Sequence, residues 1–464
     1  MCGIAAVSGV PEAAKLVFLA LYSLQHRGQE AAGIASIDTS IPDSRRVRKG
    51  TGLVSEAFDD AKLEKLKGDL AVGHLRYSTA GGAGLHNAQP VVVRYSEGDL
   101  TVVHNGNLTN AQEIRTRLVR EGAIFQSQID TEVIVHLIAR SRHDGVDAQI
   151  DDALSQLEGA FSLLIIVGNT LYAARDRHGF RPLVLGSLDG GIALASETCA
   201  LDIIGAQYIR DIGAGEVIKI EGSEIMNLRP LGFAQPTPCI FELVYFARPD
   251  SRLWGQSVDG ARRAFGRKLA EEQPAVADCV ISVPDSANSA ALGYAEVSGI
   301  PFELGLIRNH YVGRTFIEPS QTGRDYKVKL KYSPVRELLA GKRVVVVDDS
   351  LVRGTTARGL VRMLREAGAT EVHLRFASPP VRYPCFYGID MPTSAELIAS
   401  HMTLEEIRES LGVDSIGYLS LEGMLGEVAQ VGTFCSACFS GDYPAPLVDQ
   451  ERGYAAAIGD ESAN

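Results

Sequence analysis

VVVVDDSLVRGTT, residues 344–356, decides the fold of the second half of the chain. Four consecutive valines form a continuous apolar run, which reads as a strand buried on both faces of a parallel sheet. Asp348 and Asp349 end that strand, and a Ser-x-x-Arg-Gly-Thr-Thr loop then opens a helix over 355–367. Ligands of open parallel sheets bind at such carboxyl ends. Free amides and the hydroxyls of Ser350, Thr355 and Thr356 at a helix N-terminus suit a phosphate, and Gly354 lets the backbone approach it. The two acids would repel a phosphate, so they need other partners, and ribose hydroxyls with a hard Mg²⁺ ion supply them. On its own an Asp-Asp-Ser turn is more often a helix cap after a buried strand.

The pattern on either side supports a βαβ series. Strand-like stretches at 279–283, 301–304, 344–347 and 371–377 alternate with predicted helices at 286–298, 333–340 and 355–367. The first half has another rhythm. A helix over 13–24 and strands at 70–75, 100–104, 160–167 and 192–196 accompany helices at 109–120 and 130–141, opened by the capping types Thr109 and Asp130. That mixture predicts sheets packed against helices. The proline-rich, aperiodic stretch 226–238 places a boundary near 236, giving domains 2–236 and 237–445 and a C-terminal extension 446–464.

Composition narrows the function. A net charge of −12 argues against broad nucleic-acid binding. No run reaches the roughly 18 apolar residues needed to span a bilayer. The N-terminus lacks the basic region of a secretory signal, so the expected location is the cytoplasm, with no membrane partner. Seven cysteines in 464 residues do not make a disulfide-dense pattern, and in a reducing compartment their clusters point to metal binding or catalysis.

One such cysteine is Cys2. Removal of Met1 alone would put a thiol and a free α-amine on one residue, and the amine can serve, through a water, as the thiol's own general base. A buried structural cysteine is the ordinary alternative. A terminal residue followed by Gly3 is seldom a packing centre.

Resemblance sharpens both readings. HRGQEAAGI (26–34), GHLRYSTAG (73–81), VHNGNLTN (103–110) and IDTEVI (129–134) together resemble the class II glutamine amidotransferase domain, an αββα N-terminal-nucleophile fold. The resemblance implies that Cys2 forms a γ-glutamyl thioester, that Asn105 and the Gly106 amide form the oxyanion hole, and that Arg76, Thr79 and Asp130 hold glutamine. Taken singly, the same words read as a turn, a surface charge and a helix cap.

Residues 344–356 resemble the phosphoribosyl pyrophosphate (PRPP) motif of type I phosphoribosyltransferases. By that likeness Asp348 and Asp349 hold the ribose diol, while Ser350, Arg353, Gly354, Thr355 and Thr356 bind the 5-phosphate. VPDSANSA (283–290) resembles the family's turn in which a hydroxyl, here Ser286, joins Asp348 and Asp349 around Mg²⁺. Residues 308–343 hold nine Lys or Arg against three Asp or Glu, ordinarily a solvated face. Here 308–321 and 328–333 resemble a lid over PRPP, with Arg308, Lys329 and Lys331 on pyrophosphate and Thr315 and Phe316 in the closing segment.

A class II glutaminase followed by a type I PRPP site resembles the glutamine PRPP amidotransferase family, across nearly the whole chain. The likeness implies an enzyme that makes 5-phospho-β-D-ribosylamine, glutamate and pyrophosphate, the first committed step of purine synthesis. It also implies inhibition by purine nucleotides and a homo-oligomer, tetramer or dimer. A PRPP-sensing regulator is the competing class, and an electron-transfer protein a third. The latter rests only on Cys239, Cys385, Cys435 and Cys438; the last two form a Cys-x-x-Cys pair that fits zinc, a redox pair or a cluster ligand, with zinc and iron about equally favoured by spacing. TPCIFELVYFARPDS (237–251) and PPVRYPCFYGIDMP (379–392) resemble the family's iron–sulfur branch, which implies a [4Fe–4S] cluster on Cys239, Cys385, Cys435 and Cys438, with Cys199 and Cys279 as core thiols.

Overall fold

A computed structural model describes residues 1–77, 84–232, 234–309, 328–391, 393–428 and 433–451. The first half stacks two antiparallel sheets. One runs Gln207–Asp211, Val184–Leu188, Gly191–Ala195, Gly3–Ser8, Leu70–Arg76, Ala31–Ile37, Arg46–Thr51. The other runs Glu224–Asn227, Val217–Glu221, Thr170–Arg175, Gly159–Val167, Gly98–Leu108, Val91–Tyr95. The strand Gly3–Ser8 is buried at every position, and its alternation splits it between two cores. Ile4 and Ala6 meet Val103, Leu164 and Ile166 of the second sheet. Ala5 and Val7 face Val17 and Leu21 of the helix Ala13–Ser23. Helices Thr131–Arg140 and Val146–Ser155 cover the outer face of the second sheet through Ile134, Ile138 and Ile150. The result is the expected αββα sandwich.

This stacking brings the site residues together. Gly3 pairs with Leu75, so Cys2 leaves the sheet beside Arg76. Residues 104–106, expected as a turn when read singly, lie inside the strand Gly98–Leu108, with Asn105 opposite Ser162 and Gly106 opposite Phe161.

The second half carries a parallel sheet ordered Cys279–Ser282, Arg343–Asp348, Glu371–Phe376, Ser415–Tyr418. Val344 and Val346 pack with Leu360 and Leu364 of the helix Thr355–Glu366. Val345 and Val347 pack with Phe265 and Tyr294 of the helices Val258–Glu272 and Asn288–Ser298. Burial on both faces is what the valine run demanded.

Two predicted elements differ. Residues 301–304 contribute only a bridge between Phe302 and Val280, because Pro301 has no N–H to donate and the chain turns away after Glu303. Residues 333–340 are not one helix. Pro334 ends the strand Tyr332–Pro334, paired with Leu306–Arg308, and leaves one helical turn at Arg336–Leu339.

Residues 446–451 return to the first domain. The Thr109 hydroxyl donates to the Pro446 carbonyl at 2.7 Å. Asp449 accepts from the Gln112 and Glu113 amides at 2.9 and 3.0 Å, capping the helix Ala111–Arg120. Thr109 therefore anchors the C-terminal segment instead of capping its own helix.

Candidate functional site

Cys2 is 8% exposed at the mouth of the sandwich. Its amide donates to Asn105 Oδ1 at 3.3 Å, and its thiol donates to the Tyr77 carbonyl at 3.6 Å. Asn105 is wholly buried, and its Nδ2 has no hydrogen-bond partner among the described residues. An orphaned amide donor beside a nucleophile is an unpaid desolvation cost that a developing oxyanion would relieve. Gly106 has φ 156°, and a Cβ there would lie 2.0 Å from the Ala160 carbonyl oxygen, so only glycine fits. Burial raises the Cys2 thiol pKa against the pull of the terminal amine and Arg76. Burial also lowers the Met1 amine to about 6.

Arg76 is buried at the end of Leu70–Arg76, donates to the Asn87 carbonyl, and stands 3.8 Å from the Glu30 carboxylate. Asp130 accepts the Leu108 amide at 3.1 Å and faces His104 Nδ1 at 3.3 Å. It makes no side-chain cap on the helix Thr131–Arg140. Burial opposes charge on both partners, yet the pair holds the His104 pKa up and the Asp130 pKa down. Thr79 lies outside the described residues.

Arg27 was not singled out from sequence. It is wholly buried, donates to the Cys2 carbonyl at 3.1 Å, and pairs with Glu197 and with Glu242 of the second domain. His104 likewise carries no sequence expectation; the one local signal for it is a histidine directly after Val102 and Val103 of a predicted strand.

At the second site Asp348 accepts the Asp349 amide at 2.9 Å. Asp349 accepts the hydroxyls of Ser286 at 2.5 Å and Ser350 at 2.6 Å. Ser286 is thus brought to the paired acids, as expected. Burial raises both carboxyl pKa values, and the Asp349 charge adds to the rise at Asp348. Two adjacent carboxyls at one strand end, Asp349 buried and Asp348 half-buried, favour a cation or hydroxyl donors between them. Two carboxylates and a hydroxyl, completed by ligand oxygens, suit Mg²⁺.

Gly354 takes φ 75° before the helix Thr355–Glu366, whose N-terminus has no side-chain cap, and Thr355 and Thr356 stay exposed. Arg353 reaches Glu396 at 3.1 Å. Of the basic residues, Lys331 lies over the Tyr332 ring and its charge pulls down on Asp348. Arg308 pairs with Asp285 beside Ser286, whereas Lys329 pairs with Glu366 on the helix flank. Residues 310–327, with Thr315 and Phe316, lie outside the described residues.

Comparison with known proteins agrees with this geometry. Residues 74–202 match the model of a family described as a glutamine amidotransferase domain. The chain is 51% identical over 447 residues to amidophosphoribosyltransferase 1, chloroplastic, of Arabidopsis thaliana, covering 96% of this chain and 78% of that one. It is 47% identical to the Bacillus subtilis (strain 168) amidophosphoribosyltransferase, covering 96% and 94%. The chain belongs to the amidophosphoribosyltransferase family. A solved glutamine PRPP amidotransferase from B. subtilis, complexed with ADP and GMP, superposes with TM-score 0.90 at 46% identity, covering 96% of this chain and 98% of that one. A second structure, described as the allosteric regulatory enzyme of purine biosynthesis, gives TM-score 0.91 at 45% identity, covering 100% and 98%.

In this amidophosphoribosyltransferase fold the four singled-out cysteines lie near one another at the domain junction, all with free thiols. A backbone β-bridge joins Cys239 and Cys435, and the Cys435 carbonyl accepts the Ile240 amide at 3.2 Å. The Cys438 carbonyl accepts the Arg382 and Tyr383 amides, and Cys385 Sγ accepts the Tyr387 amide at 3.4 Å. Burial, then the charges of neighbouring cysteines among other groups, raises the thiols of Cys239, Cys435 and Cys438. Among the described residues no group of three or more His, Cys, Asp or Glu side chains could hold a metal ion. Cys199 and Cys279 belong to separate apolar cores, as expected. No described helix is long and apolar enough to cross a membrane.

Proposed function

We infer that the chain hydrolyses glutamine at Cys2 and passes the ammonia to PRPP, releasing glutamate and pyrophosphate and forming 5-phospho-β-D-ribosylamine. The single observation that carries this assignment of residues is the pairing of Cys2 with Asn105, whose amide nitrogen is buried and unpartnered. With Met1 removed, the Cys2 α-amine takes the thiol proton, through a water, as sulfur attacks the glutamine amide carbon. Asn105 Nδ2 and the Gly106 N–H receive the oxyanion, Arg76 holds the substrate carboxylate, and Asp130 and Thr79 hold its amine side. Collapse expels ammonia, and water then hydrolyses the thioester to glutamate.

Ammonia attacks the ribose carbon that bears pyrophosphate in PRPP, and pyrophosphate leaves. Asp348 and Asp349 hold the ribose hydroxyls; the 350–356 loop, with its uncapped helix end, holds the 5-phosphate through Ser350, Arg353, Gly354, Thr355 and Thr356. Arg308, Lys329 and Lys331 serve the pyrophosphate. Ser286, Asp348 and Asp349 would hold Mg²⁺, which supplies positive charge to the departing pyrophosphate when bound. By the family likeness Cys239, Cys385, Cys435 and Cys438 would hold a [4Fe–4S] cluster as a structural clamp once their side chains are drawn together, an arrangement they do not take among the described residues.

The solved relative with ADP and GMP supports purine nucleotides as feedback ligands here too. A cytoplasmic homo-oligomer acting first in purine synthesis completes the proposal. The deciding experiment incubates the purified protein with PRPP, Mg²⁺ and glutamine. Equal release of glutamate and pyrophosphate, dependent on both substrates, is the expected result, and glutamate release without pyrophosphate would sink the coupling.

A further inference from the structure

The second domain reaches back into the glutaminase centre through the segment 386–388. Asn107 Nδ2 donates to the Phe386 carbonyl at 2.9 Å, and Arg181 Nε donates to the Tyr387 carbonyl at 2.9 Å. The Tyr387 ring stacks on Phe180 with centroids 4.3 Å apart, and its hydroxyl donates to the Ala445 carbonyl at 2.6 Å. These contacts press Gly388 onto Gly106. A Cβ on Gly388 would lie 2.9 Å from the Gly106 carbonyl carbon and 3.1 Å from its Cα and oxygen. Gly106 cannot yield in every direction, because its own missing Cβ already points at the Ala160 carbonyl oxygen.

We propose that Gly388 is a positioning residue for glutamine hydrolysis: its backbone, packed on the Gly106 Cα and carbonyl, holds the Gly106 Cα in place and with it the setting of the adjoining Asn105–Gly106 peptide that carries the Gly106 N–H. The proposal rests on the reading of Gly106 as an oxyanion donor. A glycine peptide is intrinsically loose, and an oxyanion donor works only when held to a fraction of an ångström. Backbone packed on backbone supplies that restraint without rotamer slack, and it makes the transferase domain part of the glutaminase's supporting shell.

The test compares Gly388→Ala with Gly98→Ala in the full-length enzyme. Gly98 has a similar φ, 107° against 102°, but its Cβ would meet nothing within 4 Å, so it carries the backbone strain without the contact. For Gly388→Ala the expected result is a loss of about tenfold or more in glutaminase kcat, with KM for glutamine nearly unchanged. Ammonia-dependent synthesis in the same preparation should persist, as should both activities of Gly98→Ala. Equal losses in both half-reactions, a rise in KM alone, or the same loss in Gly98→Ala would overturn the proposal. If Gly388→Ala does not fold, Asn107→Ala frees the Phe386 carbonyl without adding bulk and must show the same kcat-selective loss; an unchanged kcat overturns the proposal. Glutaminase-active wild type with unaffected variants removes only this inference, whereas wild type that releases no glutamate removes the reading of Gly106 as well.

Discussion

The Arg27 guanidinium meets the Glu242 carboxylate at 2.9 Å with both side chains wholly buried, although the residues belong to different domains. Arg27 also pairs with Glu197 and donates to the Cys2 carbonyl, while Arg181 reaches Glu242 at 3.3 Å. Glu242 begins the short turn Glu242–Phe246, flanked by carbonyls of Leu243 and Ala247 that accept from Arg262 at 2.8 Å each. The Arg262 charge in turn acts on Asp349. Buried charges and backbone thus run from the Cys2 carbonyl to the paired acids Asp348 and Asp349.

Breaking this joint should be costly. Removing one partner of a buried ion pair typically costs about 3–5 kcal/mol, because the remaining charge stays desolvated. Glu242→Gln is expected to lower the denaturant midpoint by an amount near the low end of that range, since Glu197 still faces Arg27. A midpoint within error of the wild type would show that the joint adds nothing to stability.

Acid should open the joint late. Burial favours neutral Glu197, but His26, Arg27 and the Arg248 amide outweigh it and hold its pKa well below the usual carboxylate range. Its folded-state pKa is depressed, so its stabilisation is complete above the unfolded value near 4.3 and fades as pH falls toward the folded one. Glu197→Gln should therefore narrow the stability gap to wild type as pH drops below about 4. A gap that stays constant down to pH 2 would contradict this linkage.

Cys2→Ala should abolish glutamine-dependent synthesis and spare synthesis from high external ammonia, because only the ammonia supply needs the thiol. Asp348→Asn and Asp349→Asn should impair synthesis from either nitrogen source and largely spare basal glutaminase activity. Steady-state rates with glutamine, with ammonium, and with glutamine alone separate the variants. Normal PRPP affinity in both Asp variants would move that site elsewhere.

The pH profile of glutamine hydrolysis tests the base. Burial lowers the Met1 amine from 8.0 to about 6, and the Cys2 nitrogen that Met1 removal would free is itself buried against Asn105 Oδ1 at 3.3 Å, where desolvation would likewise lower an amine. A lowered amine is neutral at pH 7 and can accept the thiol proton, so kcat/KM for glutamine should be flat near neutrality and fall once pH drops through the amine's pKa. A limb centred at 8 or above would argue for a solvated amine.

What was legible from sequence depended on range. The valine strand and its two acids could be read because burial, strand end and loop are adjacent in the chain. Cys2 and Asn105 were identified as separate words, and the sandwich joins them across 103 residues. Arg27 was not legible as a buried ion partner, since nothing local says that Glu197 and Glu242 will surround it. The cap of Ala111–Arg120 was missed for the same reason: its acceptor, Asp449, lies 336 residues beyond Glu113. The short strand ended by Pro334 reads as helix from sequence because Val335, Leu338 and Leu339 stand at helical spacing in its window.

Iron content tests the four junction cysteines. Arg181 is buried against them, and its guanidinium pKa rises despite burial because Cys239, Glu242, Cys385 and Cys435 outweigh the desolvation. The Arg181 charge pulls against the rise at Cys239 and Cys435, but burial still holds both thiols up, so their thiolates would form only with a bound metal. The donors come from separate segments at 239, 385 and 435–438, so a cluster would tie the C-terminal chain to the junction. Anaerobic purification should give a brown protein with about four iron and four sulfide per chain, the content of that cluster type. Cys435→Ser should lose the iron and expose 380–445 to proteolysis. Stoichiometric zinc without iron, or a colourless anaerobic protein with full activity and unchanged protease resistance, would overturn the assignment.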